Sequence, residues 1–383
     1  MERTKIGIIG CGVISNTYLH DITQYYRELE VTACGDVNPA AAQQKAREYE
    51  IPHAYTVEQL LEDPEIVIVI NLTPPKFHTG INRRILEAGK HVFCEKPFAL
   101  SLEEAREIED LAKEKKLYVG CAPDTFLGSS LQTCGKLIRD GWIGKPLYAT
   151  ANMMSGGVET WHPSPDFFYK EGGGPLFDMG PYYLTALVTL LGKIEKIQSV
   201  ARTGFEKRTI YSEPRRGQEL RVEIPTHYSA ILQMEGNVAV SMNMSFDIWY
   251  SSLPRMEIYG TQGTLVVPDP NMSGGEPLLY RFENTIDEVY GESKEALNRP
   301  VKPVQVPELY HRLADYTRGL GVLELAQAIR KKRDPRTGTR LACHVTEAMN
   351  GIMEAARSGS TYVMQTDCER PEPLPLGGEA GRI

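Results

Sequence analysis

Short β-branched runs alternate with helix-length amphipathic stretches through the first third of the chain. Apolar runs at residues 5–9, 29–35, 66–72, 91–94 and 117–121 are strand-sized. Between them, residues 16–27, 40–49, 79–88 and 102–114 repeat their apolar positions every three to four residues. That rhythm predicts βαβ units and a parallel sheet. Punctuation agrees: Asn38-Pro39 precedes the second helix, Gly89 ends the third, and Ser101 with Glu104 reads as a capping box before the fourth. After residue 124 the pattern changes. Runs at 147–154, 197–203, 227–234, 238–246, 255–259 and 264–267 follow one another closely, with turns such as Glu235-Gly236-Asn237 between them, and predict an antiparallel sheet. Residues 268–307, rich in Pro, Gly and Asn, read as a long surface loop, after which helices resume at 310–330 and 338–357. The tail from Pro371 alternates Pro with apolar residues and ends Gly-rich.

Composition narrows the class. A chain of 383 residues holds two domains or three, and 42% hydrophobic with 24% charged residues is the balance of a globular protein. The net charge of −8 argues against nucleic acid or an anionic membrane as partner. Apolar runs such as 66–70 fall far short of the ~20 residues that span a bilayer. The first residues lead into a strand pattern without a signal-peptide core, so the protein is expected to stay where it is made. Seven scattered Cys, with no CxxC pair and no His at ligand spacing, fit neither a disulfide framework nor a metal site, and point to a reducing cytoplasm.

The first strand runs straight into Gly10-Cys11-Gly12-Val13-Ile14-Ser15 and then a helix. A lone GxGxxG is weak, but strand, turn and helix together are the context a dinucleotide requires. Gly10 allows the tight turn, Gly12 admits a pyrophosphate, and the backbone from Cys11 to Ile14 offers N–H groups and the positive dipole end to the phosphates. The second strand ends in Asp36-Val37-Asn38, a carboxylate 24 residues after Gly12 against an expected ~20. An acid there accepts from the ribose hydroxyls of NAD and repels a 2′-phosphate, and neither Val37 nor Asn38 supplies an Arg for NADP. The alternative, that Asp36 merely caps the next helix, carries less weight with the glycine turn in register.

Three further segments make the reading specific: Asn71-Leu72-Thr73-Pro74-Pro75-Lys76-Phe77-His78 after the third strand, Glu95-Lys96-Pro97 at the end of the fourth, and the Gly172-Gly173-Gly174 block running to Asp178 and Tyr182. Together they resemble the Gfo/Idh/MocA family of sugar and cyclitol oxidoreductases over nearly the whole chain. The family's commoner pattern is Asp with His four residues on. Tyr at 182 resembles the branch containing glucose-fructose oxidoreductase and dimeric dihydrodiol dehydrogenase. The resemblance implies an α/β protein: a Rossmann domain at 1–124 binding NAD(P), and an α+β domain at 125–383 with a large, open, mainly antiparallel sheet. Family members commonly associate through that sheet, which implies a homodimer or homotetramer. By residue, Thr73, Pro74, Pro75 and His78 would line the cofactor path, Glu95 and Pro97 would position the nicotinamide end, and Lys96 would face substrate. Asp124, Thr125, Trp161 and His162 would contact substrate or nicotinamide, with an N-cap at Asp124 and a packed Trp161 as equally plausible bland readings.

Physical reasoning independently supports Lys96. Ligands of open α/β sheets bind beyond the carboxyl ends of the strands, where Lys96 falls. In a water-poor site the charged form of Lys is disfavoured, bringing it toward proton transfer. Taken alone, a solvated surface Lys is the commoner case. Asp178 and Tyr182 share one face if their segment is helical. An uncovered sheet face is expected to expose apolar residues alternating along 238–246, which association would cover. The activity expected from the resemblance is NAD-dependent hydride transfer at a carbinol carbon of a sugar, cyclitol or related polyol. Transient oxidation by tightly held NAD, or a non-catalytic NAD-linked sensor, stands as the alternative.

Overall fold

The computed structural model describes residues 3–281, 302–311 and 316–377. The chain divides into two compact units. The first takes Met1–Gly128, His311–Glu347 and Thr366–Ile383, and the second takes Ser129–Tyr310 and Ala348–Gln365. The single crossing expected at residue 124 is thus replaced by several, because the segment after 311 returns to complete the first unit's core.

The first unit alternates β1 (Thr4–Ile9), α1 (Val13–Tyr25), β2 (Leu29–Gly35), α2 (Pro39–Glu48), β3 (His53–Tyr55), α3 (Val57–Glu62), β4 (Ile68–Asn71), α4 (His78–Glu87), β5 (His91–Cys94), α5 (Leu102–Lys115) and β6 (Val119–Cys121). All six strands pair in parallel in the order β3-β2-β1-β4-β5-β6, so the order reverses direction between β1 and β4, the switch point where open α/β sheets bind ligands. The strands read as continuous apolar runs because both faces are covered. Ile6 and Ile8 of β1 pack with Tyr18, Leu19 and Ile22 of α1 and with Val322, Leu323, Leu325 and Ala326 of the returning helix Leu320–Lys331. Ile9, Val69, Val92 and Cys94 face the other way, onto Ile85 and Leu86 of α4 and Ala105 and Ile108 of α5. Asn38 caps α2 by accepting the Ala40 N–H. At α5, Ser101 accepts the Glu104 N–H, but the Glu104 carboxylate reaches Leu100 N–H rather than Ser101, so only half of the expected box forms.

The second unit carries α6 (Ser129–Arg139), β7 (Pro146–Met154), α7 (Gly174–Leu191), β8 (Ile194–Arg202), a small pair β9 (Lys207–Thr209) and β10 (Glu219–Arg221), and then β11 (His227–Met234), β12 (Val238–Ser245), β13 (Met256–Gly260), β14 (Gly263–Val267), β15 (Leu278–Arg281), β16 (Val304–Gln305) and β17 (Tyr362–Val363). Nine strands form one sheet in the order β16-β15-β14-β13-β7-β12-β11-β8-β17. Pairing is antiparallel except between β7 and β12, so the sheet is mixed but mainly antiparallel. Two strands pair inside what reads as a loop at 268–307, whose residues 282–301 lie outside the described residues. The helix expected at 310–330 begins only at Leu320, and residues 312–315 also lie outside the description.

One face of this sheet packs on α7. The other does not meet the expectation of an apolar surface. Its alternate positions on β12 are Ala239, Ser241 and Asn243, and a hydrogen-bonded ladder crosses it: Ser229 donates to Asn243 (2.7 Å), whose amide donates to Asn152 (3.0 Å). Tyr148, Val200, Ile231 and Val363 are exposed apolar residues on it. The pleat alternates the two faces, so the apolar inward positions against α7 leave the outward positions of β12 free to be small or polar.

Candidate active site

In the first unit the glycine turn sits at the carboxyl end of β1. Gly10 has φ +103°, and a Cβ there would lie 2.7 Å from the Leu72 backbone, so no other residue fits. A Cβ on Gly12 would meet nothing within 4 Å. The protein's own packing therefore does not demand glycine at 12; the space is open beside the N-terminus of α1, whose N-cap Gly12 makes no side-chain capping bond. Ser15, buried, donates to the Gly12 carbonyl at 2.6 Å and closes the turn from beneath. Asp36 accepts the Cys11 N–H on one oxygen and the Asn38 N–H on the other, both at 2.8 Å, which fixes the carboxylate against the glycine turn. Val37 is almost fully exposed beside it. An open glycine cradle, a helix N-terminus and a pinned acid with no neighbouring Arg at 37 or 38 fit NAD; Cys11, Val13, Ile14, Val37 and Asn38 would frame it with backbone.

Beyond β4, the Asn71 side chain organises the Thr73 turn. Its oxygen accepts both the Thr73 N–H (3.1 Å) and hydroxyl (2.7 Å), and its amide donates to the His78 carbonyl and to Asn82. Pro74 leads into a short 3-10 turn, Pro75–Phe77. His78 is buried with one ring nitrogen 2.6 Å from the Pro97 carbonyl and the other 2.7 Å from the Thr73 carbonyl. Burial pushes its pKa below the ordinary value, against the pull of the two carbonyls. His78 thus sits between the Thr73 and Pro97 turns; its neutral ring carries one N–H and donates to one of these two carbonyls, which one depending on its tautomer. At the end of β5, Glu95 is buried, accepts the Tyr18 hydroxyl at 2.8 Å on one oxygen and the Lys96 N–H at 2.9 Å on the other. Lys96 itself is half-buried and Pro97 buried.

Asp124 and Thr125, expected at substrate, are 1% and 2% exposed. One Asp124 oxygen accepts the N–H groups of Gly319 (3.0 Å) and Gly321 (2.9 Å), at the start of the helix Leu320–Lys331. Burial pushes its carboxyl up, opposed by Arg318. Asp124 thus acts as a cap, though of a helix almost 200 residues away rather than the next one.

In the second unit, Asp178 and Tyr182 lie one turn apart on α7, the former half-buried and the latter 6% exposed. Gly173 precedes that helix because a Cβ there would lie 2.5 Å from the Phe167 carbonyl. Tyr183 and Leu184 are fully buried and fill the core role. Trp161 is exposed, edge-on to the His162 ring at 5.3 Å, which in turn meets Phe168 at 5.0 Å. His162 Nδ1 accepts the Ser164 N–H at 3.1 Å, so the neutral ring carries its proton on Nε2. Burial lowers the imidazole, while Asp178 draws it back up and marks His162 as its electrostatic neighbour. A buried cluster invisible in sequence anchors this loop: Arg208 donates to Glu159 (2.7 Å), to the carbonyls of Gly156 and Phe246, and to Asp247, and Tyr169 donates to Glu159. Among the described residues no group of His, Cys, Asp or Glu is placed to hold a metal ion, and no helix is long and apolar enough to cross a membrane.

A six-stranded parallel sheet of this order, with its glycine cradle and pinned acid, defines a dinucleotide-binding domain. The chain belongs to the Gfo/Idh/MocA family: residues 4–122 match the family's oxidoreductase domain with NAD-binding Rossmann fold, and residues 131–266 match its C-terminal domain. Among curated relatives, trans-1,2-dihydrobenzene-1,2-diol dehydrogenase of Bos taurus is 26% identical over 329 residues, 85% of this chain and 87% of that protein. Inositol 2-dehydrogenase/D-chiro-inositol 3-dehydrogenase of Lactiplantibacillus plantarum is 37% identical over 150 residues, 38% of this chain and 42% of that protein. The fold is shared with levoglucosan dehydrogenase solved in complex with NADH, at a TM-score of 0.77 and 19% identity, covering 95% of this chain and 100% of the other.

Proposed function

We propose that this chain is an NAD-dependent oxidoreductase acting on a carbinol carbon of a sugar, cyclitol or related polyol, in the cytoplasm, as a homodimer or homotetramer associated through the nine-stranded sheet. The observation that carries the reading is the match of residues 4–122 and 131–266 to the two domains of one oxidoreductase family; Lys96, Asp178 and Tyr182 are the residues we assign to its chemistry. Relatives named for inositol and levoglucosan support the polyol class. Seven buried free thiols suit a reducing compartment.

When bound, the nicotinamide supplies the ring that accepts or returns hydride. The chain's own work is to bind and orient the dinucleotide and to manage the hydroxyl proton. Asp36 would accept from the ribose hydroxyls, and the N–H groups following Gly12 would meet the pyrophosphate. Oxidising a carbinol requires the hydroxyl proton to leave, and we assign Lys96 Nζ as the group that takes and returns it. Its backbone is fixed through Glu95. On α7, Tyr182 offers its hydroxyl as a donor to a substrate oxygen and Asp178 offers its carboxylate as an acceptor to a substrate hydroxyl. Trp161 and His162 contact the same substrate, His162 as a donor from Nε2. A screen of sugars, cyclitols and polyols for reduced-nicotinamide absorbance tests the reading; a protein that binds no NAD and turns over none of them contradicts it.

A further inference from the structure

Tyr18 lies on the buried side of α1, the helix whose first turn offers its N–H groups at the glycine turn. Its ring is fully buried and edge-on to Phe93 of β5 at 6.4 Å. A phenylalanine would satisfy that packing, so the hydroxyl needs another reason. It donates to one oxygen of Glu95 at 2.8 Å, and the other Glu95 oxygen accepts the Lys96 N–H at 2.9 Å. A buried carboxylate is costly unless such donors hold it. Burial, with Glu95 beside it, keeps the Tyr18 phenol far above its ordinary range, so it stays a donor. The other charged groups that act on this hydroxyl are Asp124, which accepts the Gly319 and Gly321 N–H groups, and Arg318, which is buried with a guanidinium nitrogen donating to the Thr317 carbonyl.

We propose that Tyr18 is a positioning residue for the cofactor: by holding Glu95 it fixes the backbone at Lys96 and Pro97, so that the pyrophosphate-binding helix and the turn at the nicotinamide end are set as one piece. This rests on the NAD reading and on the Glu95–Pro97 turn meeting the nicotinamide. It predicts that the two ends of the dinucleotide respond differently when the hydroxyl is removed. α1 keeps its glycine turn and Asp36 contact, which serve the adenosine and phosphates, while the nicotinamide end loses its brace.

The test is binding of NADH and of ADP-ribose, which lacks nicotinamide, to the full chain and to Tyr18→Phe, Glu95→Gln and the double variant. Tyr18→Phe is expected to weaken NADH about tenfold, with a smaller fluorescence enhancement of bound NADH, and to change ADP-ribose less than about twofold. Glu95→Gln leaves the Tyr18 ring in place, shows the same selective loss, and carries the test by itself should Tyr18→Phe not fold. The double variant is expected to be no worse than the weaker single, because both remove one linkage. Equal loss for both ligands, no loss for NADH, or additive losses overturn the proposal. Failure of the unmodified chain to bind NADH overturns instead the cofactor reading beneath it.

Discussion

Replacing Asp36 separates the two things its carboxylate does. Each oxygen accepts one backbone N–H at 2.8 Å, from Cys11 and Asn38, and each keeps lone pairs for a ribose hydroxyl. Asp36→Asn keeps the shape and one acceptor, removes the charge, and turns its amide N–H toward one of the two backbone donors. A hydrogen bond to a charged group is worth ~1.5–3 kcal/mol, which is a factor of about 10–150 in Kd. NADH should therefore bind about 10–150-fold more weakly to the variant. NADPH should bind the variant equally or better, since a 2′-phosphate no longer meets a like charge worth ~1 kcal/mol at 4 Å in water. Asp36→Ala strips both backbone N–H groups of their acceptor and loosens the turn, so it should weaken both cofactors and narrow the ratio less cleanly. Fluorescence titration of NADH and NADPH against the three proteins measures this. Equal or inverted preference in the unmodified chain, or an unchanged ratio in Asp36→Asn, refutes the reasoning.

Tyr182→Phe keeps the ring and deletes one hydrogen bond, so it should lower kcat by less than Lys96→Ala does; a larger loss would exchange the two roles. His91 accepts the Tyr118 N–H on Nδ1 at 2.9 Å, and burial holds it below its ordinary 6.5. A lowered folded pKa gives stability present above 6.5 and lost as pH falls through the folded value, so the Tm should drop on acidification. His91→Gln should shrink that drop in thermal melts at pH 7 and 5, without abolishing it while His78 and His162 share its direction. Ile231, half-exposed on the open sheet face, should weaken association when changed to Lys, read as a lower mass in light scattering; an unchanged oligomer places the interface elsewhere.

Strands buried on both faces were readable from their apolar runs, and β2 and β5 fall at the expected residues. β3 and α3 are short, and β3 is largely exposed, so neither leaves a periodic trace. α7 is apolar nearly all round because it is buried nearly all round, which erases the amphipathic signature of a surface helix. The parallel pairing of β7 with β12 joins runs about 90 residues apart, and register at that separation is not a local property. The site divides on the same line. Gly10, Gly12 and Asp36 belong to one local unit and were legible. The Tyr18–Glu95 bond and the Asp124 cap join residues 77 and almost 200 positions apart, and no spacing rule reaches them.

The central claim is proton handling by Lys96 during oxidation of a polyol carbinol. The direct measurement is reduced-nicotinamide absorbance for the unmodified chain and Lys96→Ala, on whichever sugar, cyclitol or polyol the unmodified chain oxidises with NAD. The account predicts a loss of kcat of at least about 10² with little change in NADH affinity. Near-normal turnover by Lys96→Ala on that substrate contradicts it.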